Sequence, residues 1–159
     1  MEKTVALING LMIDVFNDIL RIEEETLRKG PFSDTSVTEV HTIEAIGMYE
    51  KKTASEVAKK LNITAGTLTV AVNNLVKKGY ALRLRDEDDR RLVKLGLTKK
   101  GRLLYRVHER FHVQMVRASL TGLTKEAEET LVKAFYGLHA FLSGFYQPDA
   151  QEKQPKGTV

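Results

Sequence analysis

Hydrophobic residues recur at helical spacing over residues 4–29, at Leu7, Ile8, Leu11, Met12, Val15, Phe16, Ile19, Leu20 and Ile22, and Gly30-Pro31 closes the run. They occupy more than one stripe of a helix surface, so the pattern predicts a helix buried on two sides. The chain's own core can cover one side; the other calls for a partner. Residues 32–37 read as a linker. Ser36 and Glu39 then have capping-box spacing and open a helix to about Met48, with Val40, Ile43 and Ile46-Gly47 turned inward. Thr53 and Glu56 repeat the device and open a short helix whose apolar face is Val57, Ala58 and Leu61. Asn62 and Ile63 make a tight turn. Thr64 caps a second helix that runs to Lys78 and stops at Gly79.

That second helix has two faces. Leu68, Ala71, Val72 and Leu75 fall on one side; Gly66, Val70, Asn73 and Lys77, flanked by Thr67, Thr69 and Asn74, fall on the other. After Gly79 the period drops toward two. Residues 81–85 and 92–97 alternate on either side of the charged cluster at 86–91, which reads as a hairpin with a charged tip. Thr98 caps a long helix from Lys99 to about Ser119, with the stripe Leu104, Val107, Phe111 and Met115. Residues 121–124 turn the chain into a last helix, 125–146, carrying Leu131, Phe135, Leu138, Leu142 and Phe145. Residues 147–159 are polar, contain two prolines and read as a flexible tail. The expected fold is mainly α with a small β-hairpin wing, a winged helix-turn-helix at 53–97 within a single domain, 1–146.

A helix with small and short polar residues on its open face suits close approach to another surface, and the major groove of DNA admits an α-helix. Gly66 and Thr67 let the helix sit deep. Thr69 and Val70 offer methyl groups to thymine. Asn73 can bond adenine at N6 and N7 together, and Lys77 lies on the same DNA-binding face. At the hairpin tip Arg90 and Arg91 are placed to enter a narrow A·T minor groove.

Composition narrows the alternatives. The 159-residue chain has a formal net charge of +4, enough for an anionic partner and too little for wholesale coating of nucleic acid. It has no cysteine, which excludes disulfides, thiolate metal sites and a cysteine nucleophile. No nucleophile elbow, phosphate loop or paired-carboxylate motif is present, so an enzyme is not expected. Asn9, Asp14, Asn17 and Asp18 interrupt the first apolar run, so no membrane span or signal peptide is expected and the protein reads as cytoplasmic.

Three further constellations have competing readings. His108 and His112 share a helix face, and with His41 and Glu24 they can form a tetrahedral zinc site; the simpler reading is hydrogen-bonding residues at a pocket edge, with no cofactor. Arg102, Arg106, Arg110 and Arg117 read first as a solvated face and second as a dock for an acidic partner. Val15, Ile19, Ile43, Val107 and Phe111 read first as core and second as the slot for an apolar ligand.

The run Asp89-x-Arg91 followed by Leu97-Thr98-x-x-Gly101, placed behind a helix-turn-helix, resembles the wing signature of MarR-family transcriptional regulators, over about Val5 to Tyr146. The resemblance implies a homodimer in which the helices at 4–29 and 99–146 interlace with their copies. It also implies a wing Arg91 in the minor groove, held by Asp89. The segments at 19–24, 41–43, 66–69, 73–75 and 111–112 are similar to the Gram-positive repressors of fatty-acid synthesis (FabT-type). That branch implies a bacterial repressor of fatty-acid biosynthesis genes on an A·T-rich pseudo-palindrome of double-stranded DNA, with long-chain acyl-acyl carrier protein as corepressor. The zinc-uptake repressors of the same family supply the alternative, a zinc-responsive repressor of metal-uptake genes using Glu24, His41, His108 and His112. Position 70 departs from the wider family, where Arg or Lys is common; Val70 removes the usual guanine contact.

Overall fold

The computed structural model describes residues 1–85, 89 and 92–146. In chain order they form α1 (Glu2–Lys29), α2 (Val37–Ile46), β1 (Lys52–Thr53), α3 (Ala54–Leu61), α4 (Ala65–Lys77), β2 (Ala81–Arg85), β3 (Val93–Leu97), α5 (Lys99–Leu120) and α6 (Lys125–Ser143), which ends in a 3-10 turn at Gly144–Tyr146. Among the described residues the backbone groups into two compact units, Met1–Phe111 and the residues from His112 onward.

In the first unit the helices begin where the capping residues predict. Ser36 and Thr53 each accept from the backbone N–H three residues on, and Glu39 and Glu56 return the bond to the cap's own N–H. Thr64 caps α4 by accepting from Thr67 N–H. Asn62 ends α3 in the left-handed conformation, at φ 54°, where Asn is tolerated better than most residues. α2 stops at Ile46, short of Met48, because Gly47 leaves the helix at φ 89°. The core joins Val40, Ile43 and Ile46 of α2 to Val57 of α3, Leu68, Val72 and Leu75 of α4, and Leu104 of α5, around the fully buried ring of Tyr80.

The three strands lie in the order β1-β3-β2, all antiparallel, with Arg83 opposite Leu95 and Lys52 also opposite Leu95. β1 is a third strand that the pattern did not predict: two residues cannot show an alternation. The junction from β3 to α5 explains the Leu97-Thr98-x-x-Gly101 motif physically. The Thr98 hydroxyl donates to the Gly79 carbonyl at 2.7 Å, with the Tyr80 carbonyl at 3.1 Å, and accepts from Gly101 N–H. A Cβ on Gly101 would lie 2.1 Å from the Tyr80 carbonyl oxygen, so only glycine lets α5 start this close to the backbone that enters β2.

α1 leaves its apolar residues in the open: Leu7, Ile8, Leu11, Met12, Val15 and Phe16 are all exposed. Val15, expected in the core, is among them. In the second unit, Thr124 caps α6, Gly122 turns the chain at φ 82°, and no residue of α6 is buried. Phe135 and Phe141 are exposed, and Phe141 meets Phe145 edge-to-face at 5.0 Å. Among the described residues no helix is long and apolar enough to cross a membrane.

Candidate nucleic-acid interface

α4 is fastened along its inner face and open along its outer one. Leu68, Ala71, Val72 and Leu75 are buried, while Gly66, Thr67, Thr69, Val70, Asn73 and Lys77 are exposed. Its C-terminal end is tied down by Lys78, whose Nζ lies 2.8 Å from both carboxylate oxygens of Glu39. Tyr80 follows, its hydroxyl donating to Asp34 at 2.5 Å, with Lys100 stacked 3.9 Å from the ring centroid and also bonded to Asp34. The bond from Tyr80 holds the Asp34 carboxyl below its ordinary value, and Lys100 acts in the same direction. Burial, followed by the bond to Asp34, pushes the Tyr80 phenol far above its usual range.

The open face carries mostly short side chains. Among the described residues a Cβ on Gly66 would meet only Thr64 Oγ1, at 3.9 Å, so none of them requires glycine there. Thr69 donates its hydroxyl to the Ala65 carbonyl at 2.8 Å, which commits the hydroxyl to the helix backbone. Val70 is 62% exposed. Asn73 Oδ1 accepts from Arg83 Nη2 at 2.5 Å, a contact the sequence reading missed and one that occupies the carbonyl an adenine N6 would need. Arg83 and Arg85 both stand exposed on β2. Asp89 is exposed and its carbonyl accepts from Leu92 N–H. Arg90 and Arg91 lie outside the described residues.

A second constellation lies elsewhere in the first unit. A cavity of about 220 Å³ opens between α1, the segment after it, α2 and α5, walled chiefly by Leu27, Phe32, Val40, Leu104, Val107 and Phe111. Of the residues expected to form an apolar slot, Val107 and Phe111 line it. Ile43 is sealed in the core, Ile19 is half-buried on α1, and Val15 is exposed. At the cavity's edge Glu23 and His108 are buried and bonded at 2.9 Å. His41 Nε2 lies 3.5 Å from the other oxygen of Glu23, and Glu44 lies 3.7 Å from His108 Nδ1. The ligand atoms of Glu23, His41 and His108 all fall within 4.8 Å of one another.

This corrects the expected set. Glu23 stands where Glu24 was expected: it lies four residues from half-buried Ile19 and Leu27 on the inner face of α1, and the next residue is rotated about 100° outward. Glu24 is exposed, and His112 belongs to the second unit. Arg102 is likewise not free: it donates to the Leu97 carbonyl at 3.0 Å and lies over the Tyr49 ring. Arg106 and Arg110 are exposed, as is Arg117 in the second unit.

Comparison with known proteins agrees with this architecture. The MarR family signature matches residues 33–92. The uncharacterised HTH-type transcriptional regulator YhjH of Bacillus subtilis is 25% identical over 133 residues, covering 84% of this chain and 73% of that protein. SarZ of Staphylococcus saprophyticus is 36% identical over 69 residues, 43% of this chain and 47% of that protein. The crystal structure of Streptococcus pneumoniae FabT in complex with DNA is similar at a TM-score of 0.80 and 44% identity, over 89% of this chain and 99% of that one. The S. aureus MepR–DNA complex shares the fold at a TM-score of 0.66 and 20% identity, over 83% of this chain and 94% of that one. A helix-turn-helix with a strand-paired wing, an open recognition face and these relatives together place the chain in the MarR family of DNA-binding transcriptional regulators.

Proposed function

We propose that this protein represses fatty-acid biosynthesis genes, binding an A·T-rich pseudo-palindrome as a homodimer with long-chain acyl-acyl carrier protein as corepressor. The observation that carries the reading is the apolar cavity walled by Leu104, Val107 and Phe111, in a chain 44% identical to FabT over most of its length. A cavity of that lining favours an acyl chain over a polar effector. The exposed Arg106 and Arg110 of the first unit, and separately Arg117 of the second, are suited to an acidic carrier protein, while Arg102 is engaged by the Leu97 carbonyl and the Tyr49 ring.

The exposed apolar residues of α1 and of α6 support a dimer, since surfaces of this kind mark interfaces. In such a dimer two copies of α4 lie roughly 34 Å apart, one turn of B-DNA. Gly66, Thr67, Thr69 and Val70 then approach base edges, Asn73 reads one of them, and Lys77 meets the backbone. Asp89, Arg90 and Arg91 serve the minor groove, with Arg91 entering it and Asp89 holding it.

A second reading, a zinc-responsive repressor, is favoured by the approach of Glu23, His41 and His108. Operator affinity measured with long-chain acyl-acyl carrier protein, with carrier protein lacking the acyl chain, and with zinc or chelator separates the two. The fatty-acid reading expects the acylated carrier alone to raise affinity. Tightening by zinc that Glu23→Gln abolishes, with no response to the acylated carrier, selects the second reading.

A further inference from the structure

We infer that Arg83, on the wing strand β2, is a positioning residue that sets which base Asn73 reads. The inference rests on the proposed role of Asn73 at a base edge. It starts from a contact between two exposed side chains on different elements: Arg83 Nη2 donates to Asn73 Oδ1 at 2.5 Å. A guanidinium carries donors only, so the atom it faces must be the carbonyl oxygen of the amide. That fixes the flip of the Asn73 side chain. Oδ1 is turned to the wing and Nδ2, with two N–H donors, is turned away from it.

The consequence is a change in hydrogen-bond character. A free Asn presents one acceptor and one donor side by side, the pattern that matches adenine N6 and N7. An Asn whose oxygen is committed to a cation presents donors. In the major groove donors suit thymine O4 or guanine O6 and N7, and they meet the N4 donor of cytosine unfavourably. Arg83 thus takes Asn73 away from the paired acceptor and donor of adenine and toward thymine and guanine, which offer acceptors with no N–H donor beside them. The bond is charge-assisted, which makes it stronger than a neutral pair, and β3 holds β2 in register with Arg83 opposite Leu95.

The test is selection from a pool of random duplex DNA at low salt with the full-length protein and its variants. Asn73→Ala first identifies the base pair that position 73 reads. At that pair the wild-type motif is expected to carry thymine or guanine on the strand facing α4. Arg83→Ala is expected to shift the preference toward adenine, with about tenfold loss of discrimination for the original base. Arg83→Lys, which restores a cationic donor, is expected to return the wild-type motif. Asn73→Asp keeps the partner of Arg83 and removes the donors, and is expected to lose the preference. If Asn73→Ala alters a position but Arg83→Ala returns the wild-type motif with uniformly weaker binding, Arg83 is a phosphate contact and the inference is overturned. A wild-type motif with adenine at that pair overturns it as well. If Asn73→Ala leaves the motif unaltered, the base-reading role of Asn73 fails, and the inference with it.

Discussion

The segment from α2 to the start of α5 and the two flanking helices α1 and α6 are built from similarly apolar sequence, yet they end in opposite states. In the first, Ile43, Ile46, Val57, Leu75 and Tyr80 are withdrawn completely from solvent. In α1, Phe16 is 62% exposed, and in α6, Phe141 is 63% exposed. Hydrophobicity alone therefore does not decide burial; neighbours do. Residues of α2, α3 and α4 converge on one another from three short elements, each set by its own cap. The apolar stripes of α1 and α6 outrun what a single chain supplies, which is how a surface meant for association reads.

Substitutions can sharpen that contrast. Leu75→Ala, in the closed core, is expected to cost about 2–5 kcal/mol, read by urea denaturation, because it leaves a cavity among residues that cannot collapse onto it. A loss below about 1 kcal/mol would show the core to be far more plastic than its burial implies. Phe16→Glu, on the bare face of α1, is expected to leave the fold of the chain intact while weakening dimerisation on the order of 100-fold, about 2.7 kcal/mol, by sedimentation. An unchanged association constant would break the comparison. Gly101→Ala is expected to cost about 1–3 kcal/mol by the same denaturation assay, since the new methyl group must push α5 away from the Tyr80 carbonyl. The smallest effect belongs to Asp34. Its carboxyl is depressed in the folded protein, so its contribution is present above the ordinary aspartate value of 3.8 and is lost as pH falls through the lowered one. Its side chain is 46% exposed, so solvent screens the bond, and Asp34→Asn is expected to cost less than about 1 kcal/mol at neutral pH. A thermal melt series that shows the same acid slope in Asp34→Asn and the wild type would remove it from the linkage.

Local rules accounted for much of this architecture. The two capping boxes and the Thr64 cap are written in residues three positions apart, the inner face of α4 and the change of period after Gly79 within single short elements, and the structure follows them. What escaped was non-local or too short. β1 has two residues, and its place beside β3 depends on Lys52 finding Leu95, 43 positions away. Glu23 and Glu24 are adjacent carboxylates, and only the packing of α1 against α2 and α5 decides which is buried. The Arg83–Asn73 bond joins strand to helix through side chains whose meeting depends on the turn at Gly79. Arg102 read as a free cation because nothing in its own helix shows that Leu97 and Tyr49 claim it.

Glu39 has one carboxylate and two attachments. Its Oε2 accepts from Ser36 N–H at 2.9 Å, closing the first turn of α2, and both of its oxygens hold Lys78 at the foot of α4. Mechanically it is a pin passed through two leaves of a hinge. The recognition helix cannot swing about its lower end without either dragging the first turn of α2 along or letting it fray. Val37 and Val40, in that same turn, wall the apolar cavity. One side chain thus joins a wall of the cavity to the C-terminal end of α4.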